Sequence, residues 1–183
     1  LKSAKPRGAD PKSTSLPGAI LIEAEDYARG NVLKDRESYG KGIGVLVNQG
    51  QTPNFAEYDL DVQQAATYQF ELRYAAAGSR PVKVFLNGQL IKTDAASQVT
   101  GTWNPDSQTW FVEAVLALES GRNTIRLEQP TFFPHIDKML LTTVDDERLK
   151  SSPSLLRASE SPSEKDAYKV LPSVVTQWTK QLE

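Results

Sequence analysis

No cysteine occurs anywhere in the 183 residues, which excludes disulfides, thiolate chemistry and cysteine-ligated zinc. Histidine is almost as scarce. His135 is the only one, and no Gly-x-Ser-x-Gly elbow accompanies it, so a hydrolytic triad has no basis. A glycine-rich phosphate loop and a dinucleotide-binding fingerprint are missing too. The chain also lacks an excess of charge: 21 Lys and Arg stand against 23 Asp and Glu, for a formal net charge of −2. That balance gives no electrostatic footing for nucleic acid or an anionic membrane. No run approaches the ~18 apolar residues of a membrane span, and no internal repeat is visible. With so many acids, some pair at the separation of about 5 to 10 Å used by glycosidases arises by chance. Nothing here points to an enzyme. The chain opens on Leu1 rather than Met and reads as a processed or trimmed piece, with any signal peptide outside it.

What is present is alternation with a period of two. Ala56, Tyr58, Leu60 and Val62 face one way, and Phe55, Glu57, Asp59 and Asp61 the other. Tyr68, Phe70, Leu72 and Tyr74 repeat this against Gln69, Glu71 and Arg73, as antiparallel strands with one wet face do. Val82, Val84 and Leu86 continue it. Asn87-Gly88 ahead of Leu90-Ile91 is a two-residue hairpin signal. Further strands are expected at Gly42 to Val47, Trp110 to Leu118, Thr124 to Glu128 and Ile136 to Thr143, with Trp110 opening an inward series through Val112 and Ala114. Short strands with turn residues between them, and no helix among them, predict an all-β, two-sheet antiparallel β-sandwich, most specifically a jelly roll. The expected core is Tyr58, Leu60, Phe70, Leu72, Tyr74, Val84, Leu86, Ile125 and Leu127.

Around this domain, assigned to residues 18–144, the composition changes. Residues 1–17 are rich in Lys, Ser, Pro and Gly and read as a leader or linker. Residues 145–183 read as linker, at Ser151-Ser152-Pro153 and Ser159 to Ser163, followed by an amphipathic helix on Leu171, Val174/Val175, Trp178 and Leu182. This tail is expected to lead into a further domain.

The opening strand, Ile20 to Tyr27, places two carboxylates in an apolar setting. On a strand, Leu21, Glu23, Glu25 and Tyr27 share one face. Unpaired, the two Glu repel each other. They can face solvent, be neutralised by a basic side chain such as Lys138 or Arg73, or hold a hard cation, since calcium takes six to eight oxygens. A second acid, Asp137, opens the closing strand.

The opening Ile22-Glu23-Ala24-Glu25-Asp26-Tyr27 and closing Ile136-Asp137-Lys138-Met139-Leu140 resemble the family 6 and family 35 carbohydrate-binding modules. Between them, Phe55-Ala56-Glu57-Tyr58, Leu72-Arg73-Tyr74-Ala75, Arg80-Pro81-Val82, Leu86-Asn87-Gly88, Thr100-Gly101-Thr102-Trp103 and Gly121 to Leu127 follow in the family's order. The resemblance covers about residues 18–143 and implies a galactose-binding-like sandwich. It implies a structural calcium held by Glu23, Glu25 and Asp137, with backbone oxygen from about Lys41 to Gly44. It also implies a sugar site on loops at one rim. Trp103 falls on the family's Trp position, and His135 stands where Asn is usual. Val45 replaces the usual loop aromatic, for which Tyr39 or Phe55 are the substitutes. Arg80 and Asn104 are the candidate polar partners.

The function this implies is non-catalytic binding of a polysaccharide or oligosaccharide by a monomeric module of a larger secreted or periplasmic protein, bacterial in origin, which it tethers to its substrate. The rival is a domain of the same fold that has lost its sugar site and docks a neighbouring protein, favoured by Val45, His135 and the apolar Phe132-Phe133 loop.

Overall fold

The structure, a computed structural model, describes residues 18–49 and 52–159. The leader at 1–17 and the amphipathic helix expected over 171–182 lie outside the described residues. Among the described residues, eleven strands form two antiparallel sheets. The first holds β1 (Ala19–Glu23), β3 (Leu33–Asp35), β4 (Val45–Val47), β6 (Ala66–Ala75), β9 (Thr109–Leu118) and β11 (His135–Thr143). The second, in spatial order, is β2 (Arg29–Gly30), β5 (Asn54–Val62), β10 (Gly121–Gln129), β7 (Val82–Leu86) and β8 (Gln89–Ala95). The two-sheet sandwich is as expected; β2 and β3 are too short for their periodicity to be read.

Residues of even number on β5 and β6 point inward and meet Val84, Ile125, Leu127, Leu116 and Leu141. The expected core is buried throughout, except that Leu60 is only partly so. Asn87 and Gly88, at φ 51° and 83°, make the β7–β8 turn, whose twist matches that of the strands it joins. The Asn87 Oδ1 accepts from the Thr124 amide at 2.8 Å, tying this hairpin to β10.

Two readings need correction. The alternation on β9 breaks at a bulge, where Phe70 pairs with Ala114 but Glu71 pairs with Val112. One extra residue inverts every side chain before it. Phe111 therefore packs on the core, while Trp110 and Val112, opposite Arg73 and Glu71, lie on the outer face and not in the inward series, although Trp110 is buried as expected. Second, packed structure continues past Val144. Asp145 caps α1 (Asp146–Ser151), its carboxylate accepting from the Arg148 amide at 2.7 Å, and Pro153 opens α2 (Pro153–Ser159), a position where its missing N–H costs nothing. α2 packs against β9 with Leu155 and Ala158 buried. Ser151 and Ser159, read as linker, end the two short helices.

The extra residue at the bulge is Glu113, buried at 8% exposure with Oε1 lacking a hydrogen-bond partner. Burial pushes its carboxyl up from 4.5 to about 7, opposed by the Ala96 amide and Lys92, with Asp94 pushing it further up. The folded state thus holds this proton more tightly than the unfolded chain. The resulting stability is present below pH 4.5 and is lost as pH rises through 7. At about 1.4 kcal/mol per unit, it amounts to about 3 kcal/mol at most. The melting temperature is expected to fall between pH 5 and pH 8, and Glu113→Gln to flatten that slope in thermal denaturation.

Candidate functional site

β11 decides where the loops gather. It begins at His135, which pairs with Ala75 at the end of β6, and β6 in turn sets Tyr74 opposite Thr109 at the start of β9. On the other sheet, Val82 pairs with Ala95 and Gln129 with Asn54. The loops 36–44, 76–81, 96–108 and 130–134 therefore meet at one end of the sandwich.

Four of the six expected ligand-binding residues converge there. The Tyr39 hydroxyl and the Trp103 carbonyl each lie 2.9 Å from His135 Nδ1. The His135 ring sits edge-on to Tyr39, with centroids 5.4 Å apart, and tilted against Trp103 at 5.1 Å. The Arg80 guanidinium lies over the Trp103 ring, 3.9 Å from its centroid, and donates to the Phe133 carbonyl at 3.1 Å.

Local structure fixes each of these groups. Asp35 Oδ1 accepts from the amides of Glu37 and Ser38, forming the turn that delivers Tyr39. Burial opposes ionisation of Asp35, but these amides hold its carboxyl below its ordinary value. The Trp103 loop is laced by hydroxyls: Thr100 Oγ1 accepts from the Ala76 amide at 2.8 Å, Thr102 and Ser107 pair at 2.9 Å, and Ser107 donates to the Asn104 carbonyl. A carbonyl only accepts, so His135 Nδ1 carries the proton toward Trp103 and leaves Nε2 as the acceptor nitrogen. Burial lowers the His135 pKa from 6.5, the Trp103 bond opposes this, and Arg80 lowers it further. The ring is neutral at pH 7.

Two expected residues stand elsewhere or do less. Phe55 is on the outer face of the five-stranded sheet, under the Arg126 guanidinium at 3.9 Å. It belongs to a charge lattice in which Arg29, Arg122 and Arg126 pair with Glu57, Asp59 and Glu128 at 2.6–2.8 Å. Asn104 follows Trp103 but is exposed, and only its main chain is held, by Thr102 and Ser107. Trp103 itself is partly buried against the core, and Arg80 covers one of its faces. The sequence offers Phe132 and Phe133 together, as one apolar loop that fits a cover for the sandwich end or a docking surface. Phe133 is that plug, at 0% exposure, while Phe132 is 56% exposed beside Arg80.

The acids expected to hold calcium are distributed differently. β1 ends at Glu23, and a 3-10 turn over Ala24–Asp26 breaks the alternation, so Glu23 and Glu25 do not share a face. Glu23 pairs across the sheet with Lys138, both carboxylate oxygens lying 2.7 Å from Nζ. Asp137 is 1% exposed and bonded to Arg73 Nη1 at 2.8 Å. Glu25 is 5% exposed; Arg36 approaches its Oε1 at 3.5 Å, and its Oε2 is buried without a partner. Lys41 is an exposed turn residue. Among the described residues no three of His, Cys, Asp and Glu are gathered as metal ligands. Of these three acids, Glu25 carries the buried oxygen that has no hydrogen-bond partner among the described residues.

Gly44 is buried, and a Cβ there would overlap the Glu25 carboxylate. Gly44→Ala is expected to displace Glu25 and cost about 1–3 kcal/mol, the range for overpacking a filled site. Chemical denaturation measures this.

No protein-family model and no curated protein matches the chain. Solved structures do. The native family 35 carbohydrate-binding module of Clostridium thermocellum aligns with a TM-score of 0.58 and 22% identity, over 69% of this chain and 99% of that one. The C-terminal family 6 module of a laminarinase from the marine Zobellia galactanivorans gives 0.54 and 20%, over 69% and 100%. A family 35 module solved with a glucuronic acid-containing disaccharide gives 0.54 and 19%, over 69% and 94%. Together with the geometry of the two sheets, these alignments, each over 69% of the chain, show the β-sandwich fold of the family 35 and family 6 carbohydrate-binding modules.

Proposed function

We propose that the loop rim of Tyr39, Arg80, Trp103 and His135 binds a glycan, and that the bound sugar carries a carboxylate. The observation that carries this reading is Arg80. Its guanidinium is half-buried at the rim, bonded to a main-chain carbonyl and stacked on an indole, yet among the described residues it has no carboxylate partner. Burial lowers its pKa, so the charge is held there at a cost that an anionic ligand offsets. Neutral His135 adds an acceptor for a sugar hydroxyl. One similar structure was solved with a glucuronic acid-containing disaccharide, which supports the same ligand class.

On this reading the chain is a non-catalytic module of a larger secreted or periplasmic protein and tethers it to polysaccharide. No helix among the described residues is long and apolar enough to cross a membrane. The exposed Phe132 also suits the docking of a neighbouring protein domain, and this is the second reading.

Affinity is expected in the micromolar to millimolar range, about −4 to −8 kcal/mol. NMR titration with a glucuronic acid-containing disaccharide and its neutral counterpart is expected to show tighter binding of the acid. Arg80→Met is expected to abolish that preference. If no sugar shifts any resonance at high millimolar concentration, protein docking becomes the better reading.

A structural calcium is proposed on Glu25 and Asp137, without Glu23. The orphaned Glu25 oxygen supports it; Arg73 and Arg36 compete with it. When bound, such an ion would fasten the opening turn to the closing strand. At 100 times its Kd, free calcium adds about 2.7 kcal/mol. Chelation is then expected to lower the melting temperature by several degrees, and Asp137→Ala to remove that response. A melting curve indifferent to chelator would assign the stability to the ion pairs alone.

A further inference from the structure

The rim offers two large rings besides Tyr39, and they are not equivalent. Trp103 is partly buried against the core, with Arg80 at 3.9 Å over its face and His135 tilted against it. A guanidinium at that distance is already in van der Waals contact with the indole and leaves no gap for a sugar ring. Phe132 has the opposite character: it is 56% exposed, and the Arg80 guanidinium stands 5.5 Å from its centroid, close enough to share one ligand without covering the ring.

The exposure of Phe132 does not come from a loose loop. The Asn54 side-chain Nδ2 donates to the Thr131 carbonyl, and the Thr131 backbone amide donates to Gln129 Oε1 at 3.1 Å. Gln129 donates in turn to the Pro81 carbonyl. On the other side Phe133 is fully buried, and its carbonyl receives Arg80. Both neighbours of Phe132 are pinned, so its ring is held out into water, where a large apolar side chain has no partner. The same main-chain segment positions Arg80, and ring and cation therefore keep a fixed relation.

Building on the glycan reading, we infer that Phe132 is the ring on which the bound sugar packs, and that Trp103 is a positioning residue that seats Arg80. The C–H face of the sugar lies on Phe132, and its carboxylate takes the guanidinium N–H groups that Phe133 does not use. Arg has five such donors in a fixed fork, and stacking on Trp103 sets the plane of that fork.

The two roles predict different losses, and the same pair of disaccharides separates them by NMR titration. Phe132→Ala is expected to weaken the acidic and the neutral sugar alike, at least tenfold, with an unchanged melting temperature because the ring is exposed. Phe132→Tyr is expected to restore both. Trp103→Leu is expected to weaken only the acidic sugar, collapsing its preference over the neutral one, since Arg80 loses its seat. The inference is overturned if Phe132→Ala titrates like the unmodified protein, or if Trp103→Leu weakens both sugars equally. Either result leaves glycan binding standing. Failure of the unmodified protein to bind any sugar overturns both readings together.

Discussion

The closing strand β11 pairs along one edge with two different strands, and much of the molecule depends on that shared edge. Residues Lys138 to Thr142 take β1, and Ile136 takes β4. On its other edge the ladder with β6 shifts register between Ile136 and Lys138. Asp137 sits at that shift. The bulge turns its carboxylate into the protein, where Arg73 meets it and only 1% of the residue is exposed. A buried charge without such a partner costs several kcal/mol, so this pairing permits the bulge. Because β1 must leave the edge where β4 arrives, the chain makes a 3-10 turn at Ala24–Asp26 and carries Glu25 inward against Gly44.

The same strand links scaffold to site. Its first residue is His135, so the register that buries Ile136, Met139 and Leu141 also points the imidazole at the rim. The rim is then assembled by main-chain carbonyls as much as by side chains. Trp103 fixes the His135 tautomer through its carbonyl, and Phe133 fixes Arg80 through its own. Among the described residues the Arg80 guanidinium has no carboxylate partner, and a partly buried charge so placed is costly to hold.

The outer face of the five-stranded sheet carries three Arg and three carboxylates that neutralise one another across β2, β5 and β10. In that lattice Phe55, although it lies on the polar face of its strand, is covered by Arg126. Arg80 differs from these arginines in having rings and a carbonyl around it in place of acids.

Sequence alone determined the sandwich, its strand pattern and the core, because alternation over nine or ten residues leaves one way to bury Tyr58, Phe70 and Leu72. It also brought Tyr39, Arg80, Trp103 and His135 forward as one group, through the order of motifs in which they stand. Where the period of two was interrupted, it misled. Glu23 and Glu25 seemed to share a face until a turn separated them, and Trp110 seemed to point inward until the bulge at Glu113 inverted it. Neither break leaves a mark in composition, since a bulge needs only one residue more on one strand than on its neighbour. Which of two adjacent phenylalanines is buried was likewise decided by tertiary structure. Phe132 and Phe133 are equal in hydrophobicity, and only the bonds that pin Thr131 and the Phe133 carbonyl place one ring in the core and the other in water.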